Sequence, residues 1–378
     1  MRPGGRFGGE LDDDLLDDPG RLEAIDSGGL LRAAATAGAQ VRSTAAAAAD
    51  AGLHRLAGER PRALVLLRRP GSPAAAAPLL QALLGPSCPV PVVTARSVPV
   101  WVGALDIVLA DTTDPGDREL AEGIGRAVRC GARVVLSAPD QGPVAAAGAG
   151  RSVLLTPRVE VPPGLVLPRT LAAGLLLLDT LGLLAADAEA LAGELDREAE
   201  RDHVAHESLV NPAKSLALRL RETTPLLWGT DPVAAEVAGH CAASLASHAG
   251  VVAHAAGVQE AAALPVLRQQ ARRAGGEAEL FRDPFEDSLE TGMPVMRPVL
   301  LGVRREPGHE FGRAVSVEEL PLADVVTADE ELMVRPGDPG ALACAAAVLA
   351  LRFDFAALYL GLSRGVLGGP GRIGSVVG

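Results

Sequence analysis

Short continuous runs of β-branched and aliphatic residues recur along this chain with helical stretches between them, and that alternation restricts the fold more than any other feature. RALVLL (62–67), PVPVVTA (89–95), LDIVLA (105–110), ARVVLSA (132–138) and SVLLTP (152–157) are each bounded by Gly, Pro or charged residues. Apolar runs of this length without polar alternation suit strands covered on both faces. DRELAEGIGRAVRCG (117–131) lies between two of them with apolar positions at helical spacing. Alternating strand and helix predicts a parallel sheet flanked by helices.

A second set repeats the pattern. TPLLWGT (224–230), GVVAHAA (250–256) and PVLLGV (298–303) are its candidate strands, with helices over 231–248 and about 260–274. A helix from Ser27 to about Ala51 precedes the first set, a long polar helix over 185–210 links the two, and LACAAAVLALRFDFAALYLGL (342–362) closes the second. The expected fold class is therefore α/β, two tandem units with an N-terminal helical arm and a C-terminal helix. The boundaries read as 1–55 for the acidic arm and first helix, 56–185 for the first unit, 186–340 for linker helix and second unit, and 341–378 for the last helix and a glycine-rich tail.

Composition excludes some functions. Asp and Glu (47) outnumber Lys and Arg (35) for a net charge of −12, and aromatics make up 2%. Nucleic-acid binding, which needs a basic surface and usually stacking rings, is not expected. LAAGLLLLDTLGLLAA is interrupted by Asp179 and the N-terminus lacks the apolar stretch of a signal peptide, so no membrane segment is expected and the chain reads as cytoplasmic. Cys88, Cys130, Cys241 and Cys344 are too scattered for a metal site and fit free, mostly buried thiols.

In such sheets ligands sit outside the carboxyl ends of strands. Arg68, Arg69, Gly71 and Ser72 follow one candidate strand and precede a helix, an arrangement suited to anions or to a solvated turn. The loop after LDIVLA offers Thr112 and Thr113, but Asp111, Asp114 and Asp117 beside them favour a helix-capping turn. His203 and His206 share one face of the linker helix without a zinc-peptidase pattern, and His240, His248 and His254 cluster in the second unit. No nucleophile elbow, Walker loop or dinucleotide fingerprint occurs.

The segments LDDPGRLEAIDSGGLL, SVPVWVGALDIVLA, GARVVLSAP, VLPRTLAAGLL, NPAKSLALRL and FDFAALYLGL, in that order, resemble the bifunctional phosphoglucose/phosphomannose isomerases, chains of two tandem SIS domains. The resemblance covers nearly the whole chain. It implies a homodimer that binds a phosphorylated hexose between the two domains without a cofactor and moves a proton between C1 and C2 through an enediolate. Arg169 matches the family's Pro-Arg arginine, whose guanidinium suits a developing oxyanion. Lys214, the only lysine of the chain, belongs to the Asn-Pro-Ala-Lys signature, where Asn211 and Pro212 suit a helix start and the lysine either a structural or a ligand role. Where the family has its Asn-Glu-Asn base, this chain has Ser247 and His248; the His-Asn-Glu motif has FRDPFEDSLE as its nearest counterpart. The expectation is a sugar-phosphate-binding protein with degenerate catalytic groups. The alternatives are an active isomerase using His248 or Glu286 as base, and a non-enzymatic sensor or scaffold.

Overall fold

The computed structural model describes residues 13–69, 75–273, 295–303, 320, 323–328 and 338–368. The apolar runs form the strands, and four of the five strands of the first set lead into a helix, Val92–Ala95 running on to the next strand without one. The chain opens with helices α1 (Pro19–Ile25), α2 (Leu30–Ala34) and α3 (Ala37–Ala51). The first set follows as β1 (Ala63–Leu67), α4 (Ala76–Leu84), β2 (Val92–Ala95), β3 (Asp106–Asp111), α5 (Arg118–Arg129), β4 (Arg133–Ser137), α6 (Gly142–Gly148), β5 (Ser152–Leu155) and α7 (Leu167–Thr180). Next come α8 (Ala188–Arg201) and α9 (Pro212–Leu220). The second set is β6 (Thr223–Gly229), α10 (Pro232–Ser244), β7 (His254–Gly257), α11 (Val258–Ala262), α12 (Pro265–Arg273), β8 (Val295–Gly302) and β9 (Asp324–Thr327), and α13 (Pro339–Ser363) is last.

Both sheets are wholly parallel, in the orders β2-β1-β3-β4-β5 and β7-β6-β8-β9. Every residue of β1 and β3 is buried, as strands covered on both faces require, whereas the edge strands β2 and β7 are only partly covered. Val65, Val108 and Val134 from the outer face of the first sheet pack on Leu120 and Ile124 of α5. Leu64, Leu66 and Ile107 from its inner face join a large core that also holds Leu227 and Val299 of the second sheet and most of α13.

α13 is the element that unites the molecule. It packs against α2, α4, α8, α9 and α10. It is also the one helix among the described residues long and apolar enough to cross a membrane, but 94% of its apolar window is buried inside the fold. Its apolarity thus serves the core.

Three expectations are corrected. The helix expected from Ser27 to Ala51 is broken after Ala34, where the Thr36 hydroxyl donates to the Ala33 carbonyl (2.6 Å), and α2 starts where the Asp26 carboxylate accepts from Leu30 and Leu31 N–H groups. The polar helix expected over 185–210 stops at Arg201, because Asp202 turns inward to accept from the Ala213 N–H at 2.9 Å; His203 and His206 therefore lie in a turn. His248 sits in a π-helical turn (Leu245–Ala249) that widens the end of α10, and the strand after it starts at His254 rather than Gly250. Cys241 and Cys344 are buried, while Cys130 is exposed.

Candidate functional site

Two places lie outside strand carboxyl ends, and they differ in what they leave open. At the first sheet, β1 is followed by Arg68 and Arg69. Arg68 is exposed. The Arg69 side chain is only 7% exposed, and its guanidinium forks onto Asp117 (two bonds of 2.8 Å) and Glu119 (2.9 Å) while also donating to the Arg96 carbonyl. Burial disfavours that charge, but the two carboxylates outweigh it and hold the guanidinium protonated above its ordinary range. Asp117 in turn caps α5 through the Leu120 N–H, the capping role its spacing suggests. Gly71, Ser72, Glu286 and the FRDPFEDSLE segment lie outside the described residues.

β3 ends in Asp111 and Thr112 follows it, both buried. The Asp111 carboxylate accepts from the Ser137 hydroxyl at 2.7 Å and stands 3.6 Å from Nη2 of Arg169, which Pro168 places in the first turn of α7. Arg169 is 7% exposed, and its Nε and Nη2 have no hydrogen-bond partner among the described residues. Thr112 accepts from the Asp114 N–H at 3.0 Å within a tight turn, and Thr113 is half-buried beside it. The cavity bordered by Leu66, Leu80, Asp111 and Thr170 measures about 10 Å³. That is room for about one water.

The second place is open. A cleft of about 340 Å³ lies between α4 and the carboxyl ends of β6 and β7, and Gln81, Thr230, Asp231, Glu236, Gln259 and Glu260 bring polar side chains to it. Its shape follows from local rules. Gly229 ends β6 because α10 begins directly over it: a Cβ there would stand 2.1 Å from the Ala235 nitrogen. Asp231 caps α10 by accepting from the Val233 and Ala234 N–H groups, with Pro232 at the first helical position. Glu260 accepts from the Gly257 N–H at 2.6 Å and so closes α11 against β7. Glu236 is half-buried, and its proton affinity is raised chiefly by burial and further by Glu260, against the opposing field of Arg68.

His248 is elsewhere, in the seam between α10 and α13. It is 8% exposed, its Nε2 has no hydrogen-bond partner among the described residues, and a Cβ on Gly164 would stand 2.8 Å from its Cε1. Burial pulls its pKa down, helped by His240 and opposed by Asp354. His240 meets Asp354 at 2.9 Å, and although burial alone would depress it, that carboxylate keeps it raised. Neither His248 nor Arg169 borders the cleft. Among the described residues, no group of three His, Cys, Asp or Glu side chains is arranged to hold a metal.

Lys214 is fully buried. Its ammonium donates to the carbonyls of Val204 (2.8 Å) and His206 (2.6 Å) and lies over the Tyr359 ring, whose hydroxyl donates to the Asp202 carbonyl at 2.6 Å. Asn211 caps the helix by accepting from the Lys214 N–H and ties back to the His203 carbonyl. The signature thus staples the 202–210 turn to α9. Lys214→Met is expected to leave the buried Val204 carbonyl and the half-buried His206 carbonyl without this donor, at about 1–3 kcal/mol for the buried one, with ligand binding unchanged in the folded fraction. A urea titration of the variant checks this.

Glu236 and Glu260 escape sequence inspection. The signal that could have found them is the strand-to-helix junction WGTDP, the second unit's counterpart of the loop after β1.

No protein-family model matches the chain, and no curated protein matches it in sequence. Solved structures do resemble it in fold. The C-terminal domain of glucosamine-fructose-6-phosphate aminotransferase from Francisella tularensis superposes with a TM-score of 0.60 at 9% identity, covering 90% of this chain and 98% of that one. Tagatose-6-phosphate ketose/aldose isomerase from Escherichia coli gives 0.53 at 10% identity, with 91% and 95% covered. A glucose-6-phosphate isomerase-like protein from Thermus thermophilus gives 0.50 at 20% identity, with 92% of each chain covered.

Proposed function

We propose that this chain binds a phosphorylated sugar in the cleft between α4 and the carboxyl ends of β6 and β7, with the aldose–ketose chemistry of its fold relatives reduced or lost. Its fold is the one those phosphosugar proteins use, and the two sheets are read as two SIS domains, 56–185 and 186–340. The observation that carries the reading is the cleft itself: at about 340 Å³ it lies within the range of small-molecule sites, and its carboxylates and amides suit sugar hydroxyls. Arg68, whose field reaches Glu236, is the cation proposed for the phosphate. Loss of chemistry is supported by the ion pairs that occupy Arg69 and Arg169 and by the burial of His248 in another seam.

An active isomerase is the second reading, favoured by one observation: Glu236 is a half-buried carboxylate with raised proton affinity, the kind of group that serves as a base at carbon.

Thermal melts with fructose 6-phosphate, glucose 6-phosphate and mannose 6-phosphate test the proposal, alongside turnover of the first into the other two. Ligand at a hundredfold excess over Kd is expected to add about 2.7 kcal/mol to stability, and Arg68→Glu to abolish the shift. Stabilisation without turnover supports the first reading. Turnover that disappears in Glu236→Gln supports the second. Neither stabilisation nor turnover ends both and leaves a scaffold.

A further inference from the structure

A second groove, of about 730 Å³, runs between α5 and α6 on the outer side of the first sheet and shares no residue with the cleft. Its charged side chains are Arg126, Arg129, Arg151 and Glu122, and small residues such as Gly125 and Ala147 form its floor. Three arginines against one glutamate leave a local charge of +2 on a chain whose total is −12. Cation excess at one place on an acidic protein focuses anions there.

The guanidiniums differ in how they are held. Arg126 donates to the Val98 carbonyl, which fixes one end of its fork. Arg129 folds back over Gly125: Nη1 stands 3.3 Å from the position of a Cβ on that glycine, so any side chain there would crowd it. Arg129 and Arg151 are exposed, and their guanidiniums have no ion pair or hydrogen bond among the described residues. Arg126 and Arg129 occupy the last turn of α5, where cations complement the helix dipole, but Arg151 belongs to the turn after α6 and has no such role. One helix and the turn after a second therefore bring guanidinium groups to one groove.

We infer that this groove binds a small anion carrying linked phosphoryl groups. Planar guanidinium forks pair with phosphate oxygens, and a lone phosphate would fill only part of a groove of about 730 Å³. The linked groups could belong to a nucleoside triphosphate or to inorganic polyphosphate.

Calorimetric titration of the full chain with tripolyphosphate tests the inference. Saturable binding is expected, weakened at least tenfold in Arg129→Ser/Arg151→Ser and tightened in Glu122→Gln. All three changes are at exposed positions, and ligand-free melting temperatures close to that of the unaltered chain establish that the variants fold. ATP binding more tightly than tripolyphosphate assigns the site to a nucleotide, and equal binding assigns it to the phosphates alone. Absence of saturable heat overturns the inference, as does equal binding by the unaltered chain and the double variant. Displacement of tripolyphosphate by glucose 6-phosphate also overturns it, since that places the anion in the cleft; failure of glucose 6-phosphate to bind at all bears only on the cleft.

Discussion

Glu198→Ala is expected to destabilise the protein by about 3–5 kcal/mol, the cost of stranding a buried charge. Glu198 is fully buried and grips Arg352 through Nε and through Nη2 at 3.1 Å; Arg201 approaches the same carboxylate at 3.4 Å. Arg352 stands in the middle of α13 and also donates to the Thr327 carbonyl at 2.9 Å, so it cannot swing out to water without leaving β9. The neighbouring Asp202 carboxyl is pushed well up, first by burial and then by Glu198 itself. Removing Glu198 therefore allows Asp202 to ionise more readily and recover part of the loss. Replacing both partners, as in Glu198→Leu/Arg352→Met, is expected to cost far less than the single change, because no charge is left behind. Urea unfolding of the three proteins checks this; a single variant as stable as the parent refutes it.

Gly361→Ala and Gly239→Ala are expected to move stability in opposite directions. Both glycines lie inside helices, α13 and α10, where alanine is favoured by about 0.8–1 kcal/mol. Gly239 is exposed and a Cβ there meets nothing within 4 Å, so it should gain most of that amount. At Gly361 the Cβ would stand 2.0 Å from the His248 carbonyl oxygen and 2.8 Å from Leu367 Cδ1. The obstacle is backbone, held in place by the Val251 N–H bond to the Leu245 carbonyl. Overpacking of about 1–3 kcal/mol exceeds the helical gain, and the net effect is a loss. Thermal melts of the two variants should fall on either side of the parent.

Much of the architecture was legible because it rests on local patterning. β1, β3, β4 and β6 are continuous apolar runs, and burial on both faces leaves such sequences little alternative; β5 is an equally apolar run at the sheet edge. β9 was not legible: DVVT is four residues long with only Val326 buried, and the runs around it are polar. The end of α8 was missed for a different reason, since Asp202 reads as one more charge on a polar helix until its partner at Ala213 is seen.

The candidate site was less legible, because spacing along the chain does not reveal pairing across a sheet. Arg69 and Asp117 are 48 residues apart. Arg169 reaches Asp111 only because α7 returns over the ends of β3 and β4. The cleft carboxylates hide behind local duties, Asp231 and Glu260 each being explained by the helix they begin.

The order of elements along the chain has one more consequence. α13 follows every strand, yet it is the wedge on which α2, α4, α8, α9 and α10 all lean. On the ribosome, the first sheet is finished at Leu155 while Ser363 is still to come, a delay of roughly 10–40 s at ordinary elongation rates. Throughout that interval the nascent halves have no common keel, and their greasy flanks must be shielded by chaperones or by each other.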